Sequence, residues 1–142
     1  MQIKNSQIEP MVAAILRLDE PVSYEEKNGA KYHKRLNFDG RVRYNLGKNL
    51  RILKAEMEPL VELRGKLIRE SLAKHNQAPD SDRLMGEAQK DFAAQWKPLM
   101  DTTIDLPLLP VELSSINLKD NPIPIESLGA LLDTIFTGEP KE

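Results

Sequence analysis

Apolar residues recur every three or four positions along two long stretches of the chain, which is the spacing of helices that bury one face. The longer stretch runs from Gly40 to His75, about 54 Å of helix, with Asp39 as its N-cap and Pro59 as the position of a kink. The second runs from Leu84 to Leu99. The short connector at Asn76 to Asp82 predicts that the two helices form an antiparallel hairpin.

Shorter helices are predicted near both ends of the chain. A Ser6-x-x-Glu9 capping box predicts the start of the first, with a start at Pro10 and Glu9 as its cap as the alternative, and Pro21 predicts its end near Asp19. The last helix is predicted from Ile125 to Phe136, with four apolar residues on its buried face and Gly138 as its stop signal. We expect both helices to pack on the α-hairpin.

Extended segments complete the predicted fold. Val22 to Lys27 and Lys31 to Phe38 flank Asn28-Gly29, which is typical of a two-residue type I′ hairpin turn. Met1 to Lys4 and Thr102 to Leu106 predict two short strands that pair in a small sheet. The expected fold is therefore mainly α (α+β): a kinked α-hairpin, packed terminal helices and minor strands, forming a single domain over residues 1–142.

Composition limits the class of protein. The chain has 142 residues, 40% of them hydrophobic, and no cysteine, which excludes disulfides and thiolate chemistry. No apolar run approaches the roughly 20 residues that span a bilayer, and the first residues do not have the pattern of a signal peptide. We therefore expect a protein of the cytoplasm, or of the host cytoplasm if phage-encoded, that makes no membrane contact.

Motifs for catalysis do not occur in the sequence. It lacks G-x-S-x-G, HExxH and phosphate-binding loops, and its two histidines, His33 and His75, are far apart. The carboxylates of Glu56, Glu58 and Glu62 are interpreted as the solvated side of the long helix. We expect no enzyme activity, no metal and no cofactor; an enzyme of unusual type is the alternative.

Positive charge is concentrated between Lys27 and Lys54. This segment contains nine basic residues and one acid, a net charge of +8, so the other 114 residues carry −10 to give the overall −2. The functional interpretation is an anion-binding surface near a helix N-terminus; the alternatives are a solvated basic face or an internal match to acidic helices. The candidate binding residues are Lys31, Lys34, Arg35, Arg41, Arg43, Tyr44, Lys48 and Arg51.

The apolar face of the long helix is longer than one partner helix can cover. Uncovered apolar surface on a small protein favours self-association, whereas packing of the terminal helices on the same face is the competing explanation. Under the first interpretation the protein is a homo-oligomer, with an interface formed by Leu46, Leu50, Leu53, Met57 and Leu60.

Three stretches resemble a family of small tailed-phage proteins of unknown function. They are the opening residues 1–8 (MQIKNSQI), the segment 44–50 (YNLGKNL) that leads into the long helix, and residues 104–107 (IDLP). The resemblance extends over about two-thirds of the chain, is least close at Lys27 to Phe38, and carries no catalytic residues. It implies a phage or prophage origin and a small accessory, assembly or counter-defence role.

These observations predict a non-enzymatic phage accessory protein, with counter-defence the leading role, that binds an anionic partner through its basic segment. That partner would be a nucleotide-like signal or a host protein. The alternative is an assembly or virion-associated protein whose long helix contacts another subunit. A nucleic-acid-binding regulator is third, because a pI near 5.8 does not favour bulk duplex binding.

Overall fold

The computed structural model describes residues 1–25, 27–77 and 84–140, with the backbone alone at 22–25 and 32–34. Helices dominate this part of the chain, so the predicted mainly α class is confirmed. In chain order the helices are α1 (Asn5–Leu18), α2 (Gly40–Lys74), α3 (Glu87–Met100) and α4 (Ile125–Leu131).

The strands form three separate two-stranded sheets. The first joins the N-terminal strand to a strand 99 residues away in the antiparallel register Ile3↔Ile104, as the sequence predicted. The second is the predicted antiparallel hairpin, and the third is a parallel pair that the sequence did not predict. In chain order the strands are β1 (Gln2–Lys4), β2 (Val22–Glu25), β3 (Lys31–Lys34), β4 (Thr103–Asp105), β5 (Val111–Glu112) and β6 (Phe136–Thr137).

Helix α2 lies within one residue of its predicted bounds. The Asp39 side chain caps it, because Oδ1 accepts a hydrogen bond of 2.9 Å from the backbone N–H of Val42. The helix continues through Pro59, which cannot donate to the carbonyl one turn earlier. The kink that this proline predicts stays a prediction.

Helix α1 begins earlier than predicted and without the predicted cap. It follows β1 directly at Asn5, and the Lys4 backbone N–H donates to Gln7 Oε1 at 2.8 Å. The Ser6/Glu9 capping box is therefore wrong. Its glutamate instead forms a two-pronged ion pair with Arg64 of α2, with both N–O distances at 3.1 Å.

Helices α2 and α3 form the predicted antiparallel hairpin. Near the connector, Lys74 Nζ lies 3.3 Å from Asp91 Oδ2. Further along, Leu60 of α2 and Trp96 of α3 line the same small cavity with the start of α1. Helix α3 begins at Glu87, so the predicted start at Leu84 is three residues early. Most of the connector, residues 78–83, lies outside the described residues.

The predicted type I′ turn of the β-hairpin is wrong. The register pairs Glu25 with Lys31, so five residues connect the strands instead of two. Gly29 has a positive φ of 82°, whereas Asn28 is not among the described residues with positive φ. The Asn28 side chain accepts a hydrogen bond from the Ala30 N–H at 3.0 Å, which stabilises the longer loop.

Helix α4 ends at Leu131, five residues before its predicted end. Leu132 is extended and Asp133 has a left-handed φ of 61°, which turns the chain out of the helix. The Thr134 hydroxyl donates to the carbonyl of Leu131 at 2.9 Å and so caps the helix end. The chain then enters β6, where Phe136 is buried against Val111 of β5. Gly138 follows this strand and does not stop the helix.

One hydrophobic core joins the N-terminal, central and C-terminal segments. Helix α1 packs against both α4 and α2, and buries Ile8, Met11 and Ile15 between them. Because this core covers the inner face of the first half of α2, the opposite face of that half is exposed. No helix of the described residues is long and apolar enough to cross a membrane.

Candidate anion-binding groove on helix α2

Basic side chains follow the outer face of the first turns of α2. Helical geometry brings residues three, four and seven positions apart onto one face. Here that spacing produces a shallow groove of about 280 Å³. We call this feature the α2 groove; its lining residues are Arg43, Tyr44, Gly47, Lys48 and Arg51.

An exposed aromatic ring lies among the cations of the groove. The Tyr44 side chain is 63% exposed, and Lys48 Nζ lies 6.0 Å from the centroid of its ring, at the limit of a cation–π contact. Gly47 lies one turn from Arg43, and a Cβ atom built on it would meet no heavy atom within 4 Å. The groove is therefore open to solvent between its charged walls.

The lining of the α2 groove contains three cations and no carboxylate. Two other clefts near the start of α2 do contain carboxylates. One is lined by Asp39 and Glu112, and the other by Asp39 and Asp120. Arg43 Nη2 donates to Asn37 Oδ1 at 2.7 Å, and this hydrogen bond fixes one wall of the groove without neutralising it. The surface thus has the chemistry of an anion site.

Of the eight predicted binding residues, four line the α2 groove. The structure brings Arg43, Tyr44, Lys48 and Arg51 together there. Lys31 and Arg35 are exposed, at the start of β3 and just beyond it, but they do not line the groove. Lys34 is the last residue of β3, and its side chain lies outside the described part.

Arg41 belongs to a different cleft. It lines a cavity together with Asp39, Asn45 and Glu112, between the start of α2 and the parallel strand pair. Two carboxylates in that cleft offset its charge. Arg41 and Arg43 therefore line different clefts, and a joint role in binding stays a prediction.

The N-terminus of α2 is capped by a side chain of the protein itself. Asp39 accepts hydrogen bonds from the backbone N–H groups of Val42 and Arg43, through its carboxylate and its carbonyl oxygen respectively. Its negative charge also complements the helix dipole. The expectation that N–H groups of this first turn bind an anion stays a prediction, and the candidate site described above lies further along the helix.

A buried asparagine that was not among the predicted residues fastens the inner face of α2 to the segment before β5. Asn49 is fully buried and hydrogen-bonds both backbone groups of Leu109: its Nδ2 donates to the carbonyl at 2.8 Å, and its Oδ1 accepts from the N–H at 2.7 Å. The sequence does indicate it, because Asn49 is a polar residue on the apolar face of the helix, at helical spacing between Leu46 and Leu53. This pairing holds the inner face on the core and the groove toward solvent.

The five residues predicted to contact another subunit lie in the core of the chain or against it. Leu46 is 6% exposed and Leu53 is 0% exposed, and both lie in the hydrophobic core. Leu50, Met57 and Leu60 are partly buried against the same core. Packing within the chain is therefore the correct interpretation for Leu46 and Leu53, and their assignment to an oligomer interface is wrong. For Leu50, Met57 and Leu60 the interface stays a prediction.

His75 lies at the C-cap of α2, as the sequence indicated, beside a carboxylate of α3. Its Nε2 is 3.4 Å from Asp91 Oδ2, which Lys74 also contacts. The hydrogen bond from Lys74 holds the pKa of Asp91 below its ordinary value. These groups connect the two helices of the hairpin. The described residues contain no cluster of three or more histidine or acidic side chains that could hold a metal ion.

Comparison with protein-family models, curated proteins and solved structures finds no match to this chain. The resemblance to small tailed-phage proteins stays a prediction. Function is therefore argued from the groove alone.

Proposed function

We propose that this protein is a non-enzymatic binding protein that captures an anionic partner in the α2 groove. The observation that carries the proposal is the placement of Arg43, Lys48 and Arg51 around an exposed tyrosine, in a lining without carboxylates. Guanidinium groups can bind phosphate or carboxylate through two parallel hydrogen bonds. The partner is a nucleotide-like signal or an acidic host protein, which fits a phage accessory protein with a counter-defence role.

The groove cations do not serve as internal partners for the acidic parts of the chain. Within the described residues the ion pairs involve the N-terminus, Arg64, Lys74, His75 and Lys90 as the positive groups. None joins Arg43, Lys48 or Arg51 to an acid. This supports a surface that is available to a partner over one that balances charge within the fold.

The negative charge of residues 101–140 favours a partner that contacts only the α2 groove over an extended polyanion. Residues 101–140 contain seven acids and one base, a net charge of −6. An extended polyanion that ran along the whole protein would meet this repulsive region. A partner that contacts only the α2 groove would not.

An assembly or virion-associated role has no comparable support. It depended on the apolar face of α2 being available to another subunit, and the core of the same chain covers Leu46 and Leu53.

Charge reversal in the groove tests the proposal. The unchanged protein should be retained on a heparin column, a generic polyanion, and should elute earlier as salt is added. Lys48→Glu combined with Arg51→Glu should abolish retention while circular dichroism stays helical, because exposed charges contribute little to stability.

Arg69→Glu combined with Lys66→Glu is the matched control. These residues are exposed on the second half of the same helix, and the pair changes the net charge by the same amount. The control should keep most of the retention. Equal loss in both double variants, or no retention of the unchanged protein, would contradict a binding site in the α2 groove.

A further inference from the structure

We infer that the anionic partner of the α2 groove is a nucleotide, with its base stacked on Tyr44 and its phosphates on the flanking cations. This inference rests on the proposed function and adds the chemistry of the ligand. Three features of the groove support it: the exposed ring, the glycine floor and the spacing of the charges.

Tyr44 lies where a nucleobase can stack. Its ring is mostly exposed and is not part of the hydrophobic core. An aromatic side chain stabilises a fold mainly by burial, so this one contributes little to the fold of a single chain. Cations alone would attract a carboxylate surface. A ring placed among cations adds a flat apolar contact that favours a base, because every base has a π-face.

Gly47 removes the side chain that would otherwise fill the groove. A glycine within a helix costs stability relative to alanine. At this position no neighbouring atom of the described residues requires it, because a Cβ would lie in open space. The bare backbone allows a flat ligand to approach the helix surface between Arg43 and Arg51.

The charges are distributed along the helix and not gathered at one point. Arg43 and Arg51 are eight residues apart, about 12 Å along the axis, with Tyr44 and Lys48 between them. A row of this length is longer than one phosphate group. A ligand with a base and at least two phosphates fits, whether it is a free nucleotide or a short single strand of nucleic acid.

Fluorescence anisotropy with labelled oligonucleotides tests the base contact. The probes are an eight-nucleotide thymidine single strand and an abasic strand of equal length and charge. We expect the first to bind more tightly, because only it can stack on Tyr44. Tyr44→Leu should weaken its binding about 5- to 150-fold and remove the difference between the probes. Tyr44→Phe should bind within about twofold of the unchanged protein, since it keeps the ring face.

A second variant tests the floor of the groove independently of charge. Gly47→Leu should fill the space over the backbone and weaken binding of the thymidine strand, while thermal unfolding shows that the helix is not destabilised.

Competition by unlabelled thymidine diphosphate shows whether the ligand is a free nucleotide or a strand of nucleic acid. Competition at concentrations similar to those of the strand indicates a free nucleotide; much weaker competition indicates a strand.

The outcomes separate this inference from the proposed function. Equal binding of both strands, insensitive to Tyr44→Leu but lost with Arg51→Glu, would overturn the nucleotide and keep an anion-binding groove. The same follows if polyglutamate competes as well as the thymidine strand, because the partner would then be an acidic protein. Failure of all these polyanions to bind would overturn both.

Discussion

Asn49 shows how a single polar residue can orient a whole helix. It occupies a position in the apolar stripe of α2 where a leucine would suit the spacing, yet it is fully buried. Its amide matches the N–H and carbonyl of Leu109, so the irregular segment before β5 keeps its backbone hydrogen bonds without a partner strand.

Replacing this residue should be costly. Asn49→Ala removes the partners of both partly buried backbone groups of Leu109 and opens a small cavity at a fully buried position, so we expect it to lower the free energy of unfolding by about 2 to 4 kcal/mol. Urea denaturation measures the effect. Asn45→Ala is the control, because Asn45 is half-exposed and makes only a 3.4 Å bond to Pro110; it should change stability by less than about 0.5 kcal/mol.

At the residue scale, the Asp39 cap was predicted correctly, the Ser6/Glu9 capping box was wrong, and the partner of Asn49 was not found. Asp39 was predicted as a cap because cap and helix are adjacent in the chain, and the structure confirms it. The partner of Asn49 is 60 residues away, and no local pattern identifies it. For the same reason the groove cations of α2 were found, since they share one helix, while Arg41 could not be separated from them by charge alone.

The α-hairpin contains a charged contact between its two helices. At its connector end, Lys74 and His75 of α2 meet Asp91 of α3. The contact with Lys74 lowers the pKa of Asp91 in the folded state. The ionised carboxylate therefore stabilises the fold above its ordinary pKa of 3.8, and this stabilisation is lost as the pH falls through the lower folded value.

Asp91→Asn should thus have an effect that depends on pH. We expect the substitution to reduce stability at pH 6, where the carboxylate is ionised, and to have a smaller effect at pH 3, where the pH has fallen below the ordinary pKa and the unfolded chain is mainly protonated. Urea unfolding of both proteins at the two pH values measures this. An equal loss at pH 3 and pH 6 would show that packing of the side chain, and not its charge, connects the helices.

Element boundaries followed the strength of local signals. Helix α2 was predicted almost completely, because a cap and a long leucine repeat agree. Helix α4 was predicted too long, because Leu132 and Ile135 continue the helical spacing while Asp133 turns the backbone out of it. The β5–β6 pair was missed, because two-residue strands have no periodicity and a parallel pair has no connecting turn.

At the scale of the whole molecule, the first half of α2 contacts the core on one face and solvent on the other. Its inner face belongs to the core shared with α1, and its outer face carries the groove. Substitutions on the inner face should therefore change the stability of the fold, and substitutions on the outer face should change binding of the partner.

Leu53→Glu tests the inner face. Because Leu53 is fully buried in the core of one chain, a carboxylate there should cost more than about 4 kcal/mol, a large part of the stability of a small domain. We expect loss of the helical circular dichroism signal. Val61→Glu, at a position that is 41% exposed on the same helix, should remain folded. A Leu53→Glu protein that stays folded but has a smaller size in gel filtration would instead show that Leu53 lies in an oligomer interface.

The pairing of β1 with β4 has a consequence for how the protein is made. Lys4 pairs with Thr103, so the first strand leaves the ribosome about 100 residues before its partner, roughly 5 to 20 s at ordinary rates of synthesis. During this time the apolar face of α1 also lacks α4, which is translated later still. The nascent chain must therefore remain soluble while only α2 covers α1. The segment of β1 and α1 completes its packing only after β4 and α4 have been synthesised.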